Sequence, residues 1–339
     1  MRVWFNRHFS VVARVAHQLR NSNNPLPIEI VISHRHFDFV GYAMSDIAFT
    51  EPADLSVEAY VDWMLEKAVA EKIDVIIPGH EASAIVAAAP RFRERGVRVL
   101  EAATAEVLPL LHRKQWVYDN APADLHRPVW ELVTEDEQLD AAVARIEQTD
   151  NACLKPTVGV YGHGYHRIAS AAVAEQRELA KDELSLAQWR GRYGAVRPGK
   201  PQMVMAHLPG NEYSVDMACK DGAVLAMVQR RKPLAGNGQR LVEHPEISQG
   251  SRQLVEKFGL SGLINIQFKE DKNGRPALLE INPRASGGIG MSCLSGINLP
   301  DIALRACLFG ESSVVPPARL GMRVGEMSLA VELPEPRIS

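Results

Sequence analysis

The amino-acid sequence predicts an α/β protein whose C-terminal part changes to an α+β arrangement. In the first hundred residues, short apolar segments of strand length alternate with segments whose apolar residues recur at helical spacing. Apolar strands separated by helices favour a parallel sheet that is covered on both faces. From residue 203 onward, by contrast, strand-like segments follow one another directly. The length of 339 residues allows two or three domains.

The N-terminal part is predicted to contain four strands and three helices. The strand-like segments are residues 3–5, 28–32, 74–78 and 97–100. The segments with helical spacing are residues 11–19, 57–70 and 82–88. Gly79, His80 and Glu81 follow a strand, at the edge where open parallel sheets bind ligands. A strand-to-helix turn with only a capping role is an equal alternative for these three residues.

The middle and C-terminal parts mix both element types. Helices are expected at residues 105–111, 112–120, 135–146, 171–190, 245–258 and 299–308. Strands are expected at residues 129–133, 152–154, 203–207, 212–220, 223–231, 263–268 and 277–281, and the alternation in 322–333 indicates a closing strand. A linker containing Gly and Pro occupies residues 191–202. We therefore expect three domains, at residues 1–111, 112–202 and 203–339.

Composition and charge exclude several classes of protein. The net charge of −3 offers no basic field for nucleic acid. No apolar run is long enough to span a membrane, and the N-terminus lacks the apolar core of a signal peptide, so a cytoplasmic location is expected. The four cysteines form no CxxC pair, which argues against a zinc site and a disulfide framework.

Three oxygen-bearing side chains lie on two neighbouring strand segments near the C-terminus. Gln267 lies on the first segment, and Glu280 and Asn282 lie two residues apart on the second, so the last two share a face. Oxygen ligands of this kind bind Mg²⁺ that is held partly by substrate phosphates. The alternative is a solvated strand end followed by an Asn-Pro turn. The pattern predicts a metal site that serves phosphate chemistry.

A second pattern joins a lysine to a glycine-rich loop. Lys155 ends a strand and precedes a loop that contains Gly159, Gly162 and Gly164. Glycine lets backbone N–H groups approach phosphate oxygens, and lysine adds a positive charge. The loop is neither a Walker loop nor GxGxxG, and a simple turn is the alternative. Within it, His163 either contacts phosphate or is exposed to solvent.

These two patterns together resemble the ATP-grasp superfamily. The hairpin at residues 264–281 and the following Arg284-Ala285-Ser286-Gly287-Gly288 are similar to its metal-binding hairpin. The resemblance is greatest to the carbamoyl-phosphate synthetase large subunit, which also uses Gln, Glu and Asn at the three metal-binding places. Lys155-Pro156 and the loop resemble the family's lid, although Gly162-His163-Gly164 replaces the usual Gly-Gly pair. A weaker resemblance links the chain to an ATP-grasp group associated with bacterial tellurium-resistance-type operons.

The resemblance implies an ATP-grasp fold preceded by a parallel α/β domain, with ATP and Mg²⁺, or Mn²⁺, as cofactors. Gln267, Glu280 and Asn282 would bind the metal. The residues implied to contact phosphates are Lys114, Lys155, Gly162, His163 and Gly164. Those implied to contact the adenosine are Met205, Ala206, His207 and Leu208, which face the base, and Glu212, which binds the ribose hydroxyls.

The resemblance also implies an ATP-dependent carboxylate-amine ligase that forms an acyl phosphate. Arg284 would hold the carboxylate, and one cation of Arg230, Arg231 and Lys232 would lie near the γ-phosphate, with Arg231 as our choice. Nothing in the sequence decides which of the three points inward. The expected partners are a small carboxylate and an amine, and a homodimer is left open. The alternatives are a phosphotransferase or carboxyphosphate-forming enzyme, and a non-catalytic nucleotide sensor.

Overall fold

Two compact units make up the chain. The computed structural model describes residues 1–8, 11–158, 164–310 and 314–338. The first unit comprises residues 1–109, 213–267 and 281–339, and the second comprises residues 110–212 and 268–280. The expected division into three domains stays a prediction.

A five-stranded sheet forms the N-terminal part of the first unit. Its strands are β1 (Arg2–Asn6), β2 (Glu29–His34), β3 (Ile47–Thr50), β4 (Val75–Ile77) and β5 (Arg98–Val99). The order is β3-β2-β1-β4-β5, and all neighbours run parallel, which confirms the predicted parallel sheet. Around it lie α1 (Val11–Arg20), a 3₁₀ turn (Val40–Met44), α2 (Val57–Ala70), α3 (Ala82–Ala87), α4 (Ala89–Glu94) and α5 (Leu108–Leu111). The sequence patterns missed β3, a four-residue strand.

The second unit contains a sheet of mixed orientation. Its strands are β6 (Trp130–Val133), β7 (Ala152–Pro156), β8 (His166–Ala169), β9 (Glu183–Ser185) and β10 (Gln202–Ala206), in the order β6-β10-β7-β8-β9. Its helices are α6 (Lys114–Asn120), α7 (Leu139–Glu147), α8 (Ala171–Gln176) and α9 (Leu186–Tyr193), with a 3₁₀ turn at Asp136–Gln138. The apolar face of α7 packs with buried side chains of β7 and β10, among them Leu154 and Val204, to form the core of this unit.

The single helix predicted at residues 171–190 is wrong. The structure has α8, then β9, then α9 in this stretch. The reason is a capping box: the Ser185 hydroxyl accepts from Gln188 N–H, and the Gln188 side chain accepts from Ser185 N–H. This reciprocal pair begins a new helix at Leu186, so the preceding residues are free to join the sheet as β9.

The C-terminal part supplies a six-stranded sheet. Its strands are β11 (Glu212–Lys220), β12 (Ala223–Lys232), β13 (Gln239–Val242), β14 (Gly262–Glu270), β15 (Pro276–Asn282) and β16 (Arg323–Val324), in the order β15-β14-β11-β12-β13-β16. Its helices are α10 (Pro245–Lys257), α11 (Ile289–Cys293) and α12 (Leu299–Phe309). Within the first unit, side chains from α1, the parallel sheet and α12 share one hydrophobic core.

The closing strand predicted at residues 322–333 is mostly wrong. Only Arg323–Val324 forms a strand, which pairs antiparallel with β13. Beyond it, Met327 and Leu329 are 79% and 72% exposed. Alternating apolar residues indicate a strand only where a neighbouring strand supplies backbone partners, and none is present beside residues 325–333 in the described part of the chain.

Candidate nucleotide and metal site

Lys155 carries a buried charge in the second unit. It lies on β7, a central strand of the sheet, and is only 7% exposed. Its Nζ has no hydrogen-bond partner among the described residues, and the nearest aromatic ring, that of Tyr118, has its centroid 5.3 Å away. Burial, with a further contribution from Lys114, lowers the pKa of Lys155 to about 8. A buried ammonium group without a partner is costly, which makes this position suited to an anionic ligand.

Helix α6 brings the predicted site residue Lys114 close to Lys155 and to Glu280. Lys114 begins the helix, and its Nζ lies 3.7 Å from Glu280 Oε2. Tyr118, one turn later, donates its hydroxyl to the backbone oxygens of Leu278 and Leu279 at 3.0 and 3.1 Å. These bonds hold α6 against β15. The structure therefore brings Lys114, Lys155 and Glu280 close to one another.

The segment expected to read adenine lies at the end of β10. Met205, Ala206 and Leu208 are buried, and His207 is half-buried. The His207 ring Nδ1 lies 2.7 Å from the Tyr165 hydroxyl, which stands just after the predicted lid loop. Burial and the nearby Lys269 lower the pKa of His207 to about 4, so its imidazole is neutral at neutral pH. A neutral hydrogen-bonded pair thus connects the base of the loop to this segment.

Glu212 starts β11 directly after a turn that Glu270 holds in place. Glu270 Oε2 accepts from Asn211 N–H at 2.9 Å and from Asn211 Nδ2 at 2.8 Å. A Cβ at Gly210 would lie 2.5 Å from Glu270 Cβ, so only glycine fits there. Sequence reasoning missed Glu270, which fixes the backbone leading to Glu212. The only sequence signal is its place at the end of β14.

The lid loop is only partly within the described residues. Gly162 and His163 lie outside them, as do Gly159, Val160 and Tyr161. Gly164 has a φ of +79°, a value that favours glycine, and its Cα faces the Pro156 ring, which a Cβ would meet at 3.0 Å. A glycine is therefore required at the end of the predicted phosphate loop.

The three predicted metal ligands lie on one hairpin. Gln267 is on β14, Glu280 and Asn282 are on the neighbouring β15, and all three are half-buried. Asn282 Nδ2 donates to Asn265 Oδ1 at 3.3 Å. In the described ranges, no three or more His, Cys, Asp or Glu residues are grouped to hold a metal. The predicted set contains two amides and one carboxylate, which are oxygen donors of the kind that Mg²⁺ accepts.

The chain is similar to a known protein family and to several solved structures. Residues 199–330 match the family model described as "ATP-grasp in the biosynthetic pathway with Ter operon". Among solved structures, N5-carboxyaminoimidazole synthetase from Staphylococcus aureus, complexed with ADP, has a TM-score of 0.67 at 13% identity, covering 95% of this chain and 80% of its own. The biotin carboxylase domain dimer of Hydrogenobacter thermophilus 2-oxoglutarate carboxylase, with MgADP and bicarbonate, has a TM-score of 0.65 at 14% identity, covering 95% and 73%.

The chain has the ATP-grasp fold. A third neighbour, the β-γ-ATP complex of biotin carboxylase from Campylobacter jejuni, has a TM-score of 0.67 at 14% identity, covering 95% of this chain and 74% of its own. No curated protein sequence matches the chain significantly. The predicted resemblance to the ATP-grasp superfamily and to its Ter-associated group is thereby confirmed. In the described part of this ATP-grasp chain, no helix is long and apolar enough to cross a membrane.

The cationic end of β12 is divided between the interior and the surface of the ATP-grasp chain. Arg230 is 2% exposed and Arg231 is exposed, as alternation along a strand requires. Arg230 contacts Asp216, and its Nη2 also donates to Ser214 and Ser286. Arg230 is thus the cation that points inward, and its guanidinium group is hydrogen-bonded to other protein side chains. The catalytic role expected of Arg231 stays a prediction, and its exposed position does not favour it.

Arg284 and the glycine-rich segment after it lie beyond the hairpin. Arg284 is half-buried and donates to the backbone oxygen of Ala285 at 3.0 Å. The N–H of Gly288 already donates to Ser286 Oγ at 3.2 Å. A Cβ on Gly288 would lie 2.4 Å from Arg230 Nη1, so glycine here permits close packing of the guanidinium group. This segment has a packing role that the sequence did not reveal, and the carboxylate-binding role of Arg284 stays a prediction.

The turn at residues 79–81 is held by a residue that sequence reasoning missed. Asn6 is fully buried at the end of β1, and its Oδ1 accepts from Gly79 N–H at 2.9 Å. Its Nδ2 donates to His80 O at 2.9 Å. A Cβ at Gly79 would lie 2.4 Å from Asn6 O. These contacts give the turn a structural function of its own, and a ligand there is not required to explain it.

Proposed function

We propose that this ATP-grasp chain is an ATP-dependent ligase that activates a carboxylate as an acyl phosphate and transfers the acyl group to an amine. The observation that supports it most is the Lys155 ammonium group, which is buried without a hydrogen-bond partner in the described residues. It lies beside Lys114 and Glu280 in the second unit. ADP, MgADP and ATP are the ligands of the structural neighbours.

In this proposal the residues of the second unit bind the nucleotide. Lys155, near the end of β7, and Lys114, at the start of α6, lie close to each other. Both would supply positive charge to the phosphates. The backbone of Met205–Leu208 faces the base, since three of these four side chains are buried in the protein. Glu212 accepts hydrogen bonds from the ribose hydroxyls. Gly164 is the last residue of the predicted phosphate loop.

The hairpin residues Gln267, Glu280 and Asn282 would hold Mg²⁺, and their oxygen donors fit that ion. Bound there, the ion would neutralise charge on the β- and γ-phosphates. A carboxylate oxygen of the substrate forms a bond to the γ-phosphorus while the bond to the ADP oxygen breaks. The amine then attacks the acyl carbon and inorganic phosphate leaves. Arg284 holds the carboxylate through its planar fork.

Calorimetric titration with a non-hydrolysable ATP analogue, with and without Mg²⁺, tests this proposal without knowledge of the substrate. We expect Mg²⁺-dependent binding to the wild type that is weakened in Glu280→Gln. Glu256 is an exposed carboxylate on α10, and Glu256→Gln is therefore the matched control. This variant should bind the analogue as the wild type does. Absence of binding to a folded wild-type protein would contradict the proposal.

A carboxyphosphate-forming enzyme is the second candidate. It is favoured by one neighbour of the same fold, which was crystallised with MgADP and bicarbonate. ADP release with hydrogencarbonate alone would support this candidate. ADP release that requires both an organic carboxylate and an amine would support the ligase.

A further inference from the structure

The side-chain amide of Asn282 has a neighbour in the first unit that decides which way it faces. Asn282 Nδ2 donates to Asn265 Oδ1 at 3.3 Å, and Asn265 is 1% exposed on β14. An amide carries its donor and its acceptor on opposite sides of one carbon. The bond to Asn265 therefore puts Asn282 Oδ1 on the side that faces away from Asn265.

The orientation of Asn265 is determined in turn by its own partners. Its Nδ2 lies 2.9 Å from Ser214 Oγ, 2.9 Å from Asp216 Oδ1 and 3.2 Å from Val215 O. A carboxylate and a carbonyl can only accept hydrogen bonds, so the NH₂ group must face them. A flipped amide would place its oxygen against two buried acceptors and leave them without a donor, which is unfavourable. The oxygen of Asn265 is therefore left to face Asn282.

Asp216 is fixed by the same buried network. Its Oδ2 accepts from Arg230 Nη2 at 2.9 Å and from Ser292 Oγ at 2.6 Å. Asp216, Arg230 and Ser292 are all at most 2% exposed. Arg230 and Asn265 thus both donate to Asp216, and Asn282 donates to Asn265, so the orientations of the two amides are linked to that of Asp216.

We propose that Asn265 is a positioning residue of the metal site, which turns the oxygen of Asn282 to the face where the cation binds. This inference rests on the proposed function, because it requires a divalent cation on the hairpin. An amide turned the other way would present N–H groups, which repel a cation. Loss of a residue that orients a metal ligand commonly reduces metal affinity by about ten- to a hundredfold.

The test is a double-mutant cycle on metal affinity, measured by electron paramagnetic resonance of Mn²⁺ with the ATP analogue at saturation. The proteins are the wild type, Asn265→Ser, Asn282→Ala and the double variant. Serine is polar but shorter than asparagine, so it removes the amide oxygen that accepts from Asn282. We expect Asn265→Ser to weaken Mn²⁺ binding about ten- to a hundredfold. It should cause no further loss when Asn282 is already alanine, because Asn265 acts through Asn282.

Ser292→Ala is the matched control, since Ser292 contacts the other carboxylate oxygen of Asp216 and not Asn265. It should lower stability and leave Mn²⁺ affinity within about twofold. Losses that add in the double variant, or an unchanged affinity in Asn265→Ser, would overturn the inference while the wild type still binds metal. A wild type that binds neither analogue nor Mn²⁺ would overturn the proposed function and this inference with it. Asn265→Thr, checked by circular dichroism, replaces Asn265→Ser if the latter does not fold.

Discussion

Two cationic side chains that are buried in the described part of the chain, Arg230 and Lys155, differ in what surrounds them. Arg230, in the first unit, is 2% exposed and donates to Asp216, to one glutamine and to three serines, among them Ser214. Lys155, in the second unit, is 7% exposed, and its Nζ has no hydrogen-bond partner in the described ranges. The nearby Lys114 further disfavours its charge.

This difference separates a structural charge from one that is available to a ligand. A buried charge with a counterion and satisfied hydrogen bonds is compatible with stability, and removing it leaves the counterion unpaired. A buried charge without a partner lowers stability in the free protein, and an anion that binds to it offsets that cost. Arg230 should therefore matter for folding and Lys155 for binding.

The largest expected effect is on stability in the first unit. Arg230→Met should lower the free energy of unfolding by about 3–5 kcal/mol, because Asp216 would stay buried without its cation. Urea denaturation measures this change. Arg231→Met, at the exposed neighbouring position, is the matched control and should change stability by no more than about 0.5 kcal/mol. Equal losses of stability in the two variants would contradict the structural role of the buried Arg230.

The next largest effect is expected at Lys155, where substitution should lower turnover and not stability. Lys155→Met keeps most of the length of the side chain and removes its charge, so turnover should fall by about a hundredfold or more. Stability should be unchanged or higher, since the substitution removes a buried charge that has no hydrogen-bond partner among the described residues. Steady-state kinetics and thermal unfolding measure the two quantities. A variant that unfolds more easily and still binds the nucleotide analogue would show that Lys155 is structural.

The pH dependence of nucleotide binding sharpens the comparison further. Burial first, and then Lys114, lowers the pKa of Lys155 to about 8 from 10.5, so the free protein loses this charge as the pH rises through 8. Affinity for the ATP analogue should therefore fall about tenfold between pH 7 and pH 9, as the protonated fraction falls.

The control for this pH dependence is Lys155→Met, which should lack it. The wild type should also gain stability relative to this variant between pH 8 and 10.5, because only the unfolded lysine still binds a proton there. Affinity that stays constant up to pH 9 would contradict a role for the Lys155 charge.

The smallest expected effect is that of the Tyr165–His207 hydrogen bond. Tyr165→Phe should cost about 1 kcal/mol of stability, because the half-buried His207 loses a partner at 2.7 Å. Tyr193→Phe is the matched control: its hydroxyl lies at the same distance from His166 Nε2, but the tyrosine is 42% exposed and water can replace it. Urea denaturation compares the two, and an equal or greater loss in Tyr193→Phe would contradict this reasoning.

The sequence alone determined the parallel N-terminal sheet, the β14–β15 hairpin and the ATP-grasp resemblance, because each depends on local periodicity or on a short run of residues. It also placed Lys155 at the end of a strand before a glycine loop. Two predictions from the sequence were wrong because they relied on local patterns, and local patterns do not include tertiary contacts. Alternation at residues 325–333 predicted a strand that has no neighbour, and the helix expected at residues 171–190 was interrupted by the capping box at Ser185.

Only the tertiary structure decided which charged side chains have hydrogen-bond partners within the protein. In the sequence, Arg230 and Arg231 are adjacent and equivalent, and the strand's alternation puts one in a network and the other in solvent. Asn265 and Glu270 are spaced along one strand, yet their partners, Asp216 and Asn211, are more than forty residues away. Hydrogen bonds across such distances depend on how strands pair, and no local pattern records that pairing.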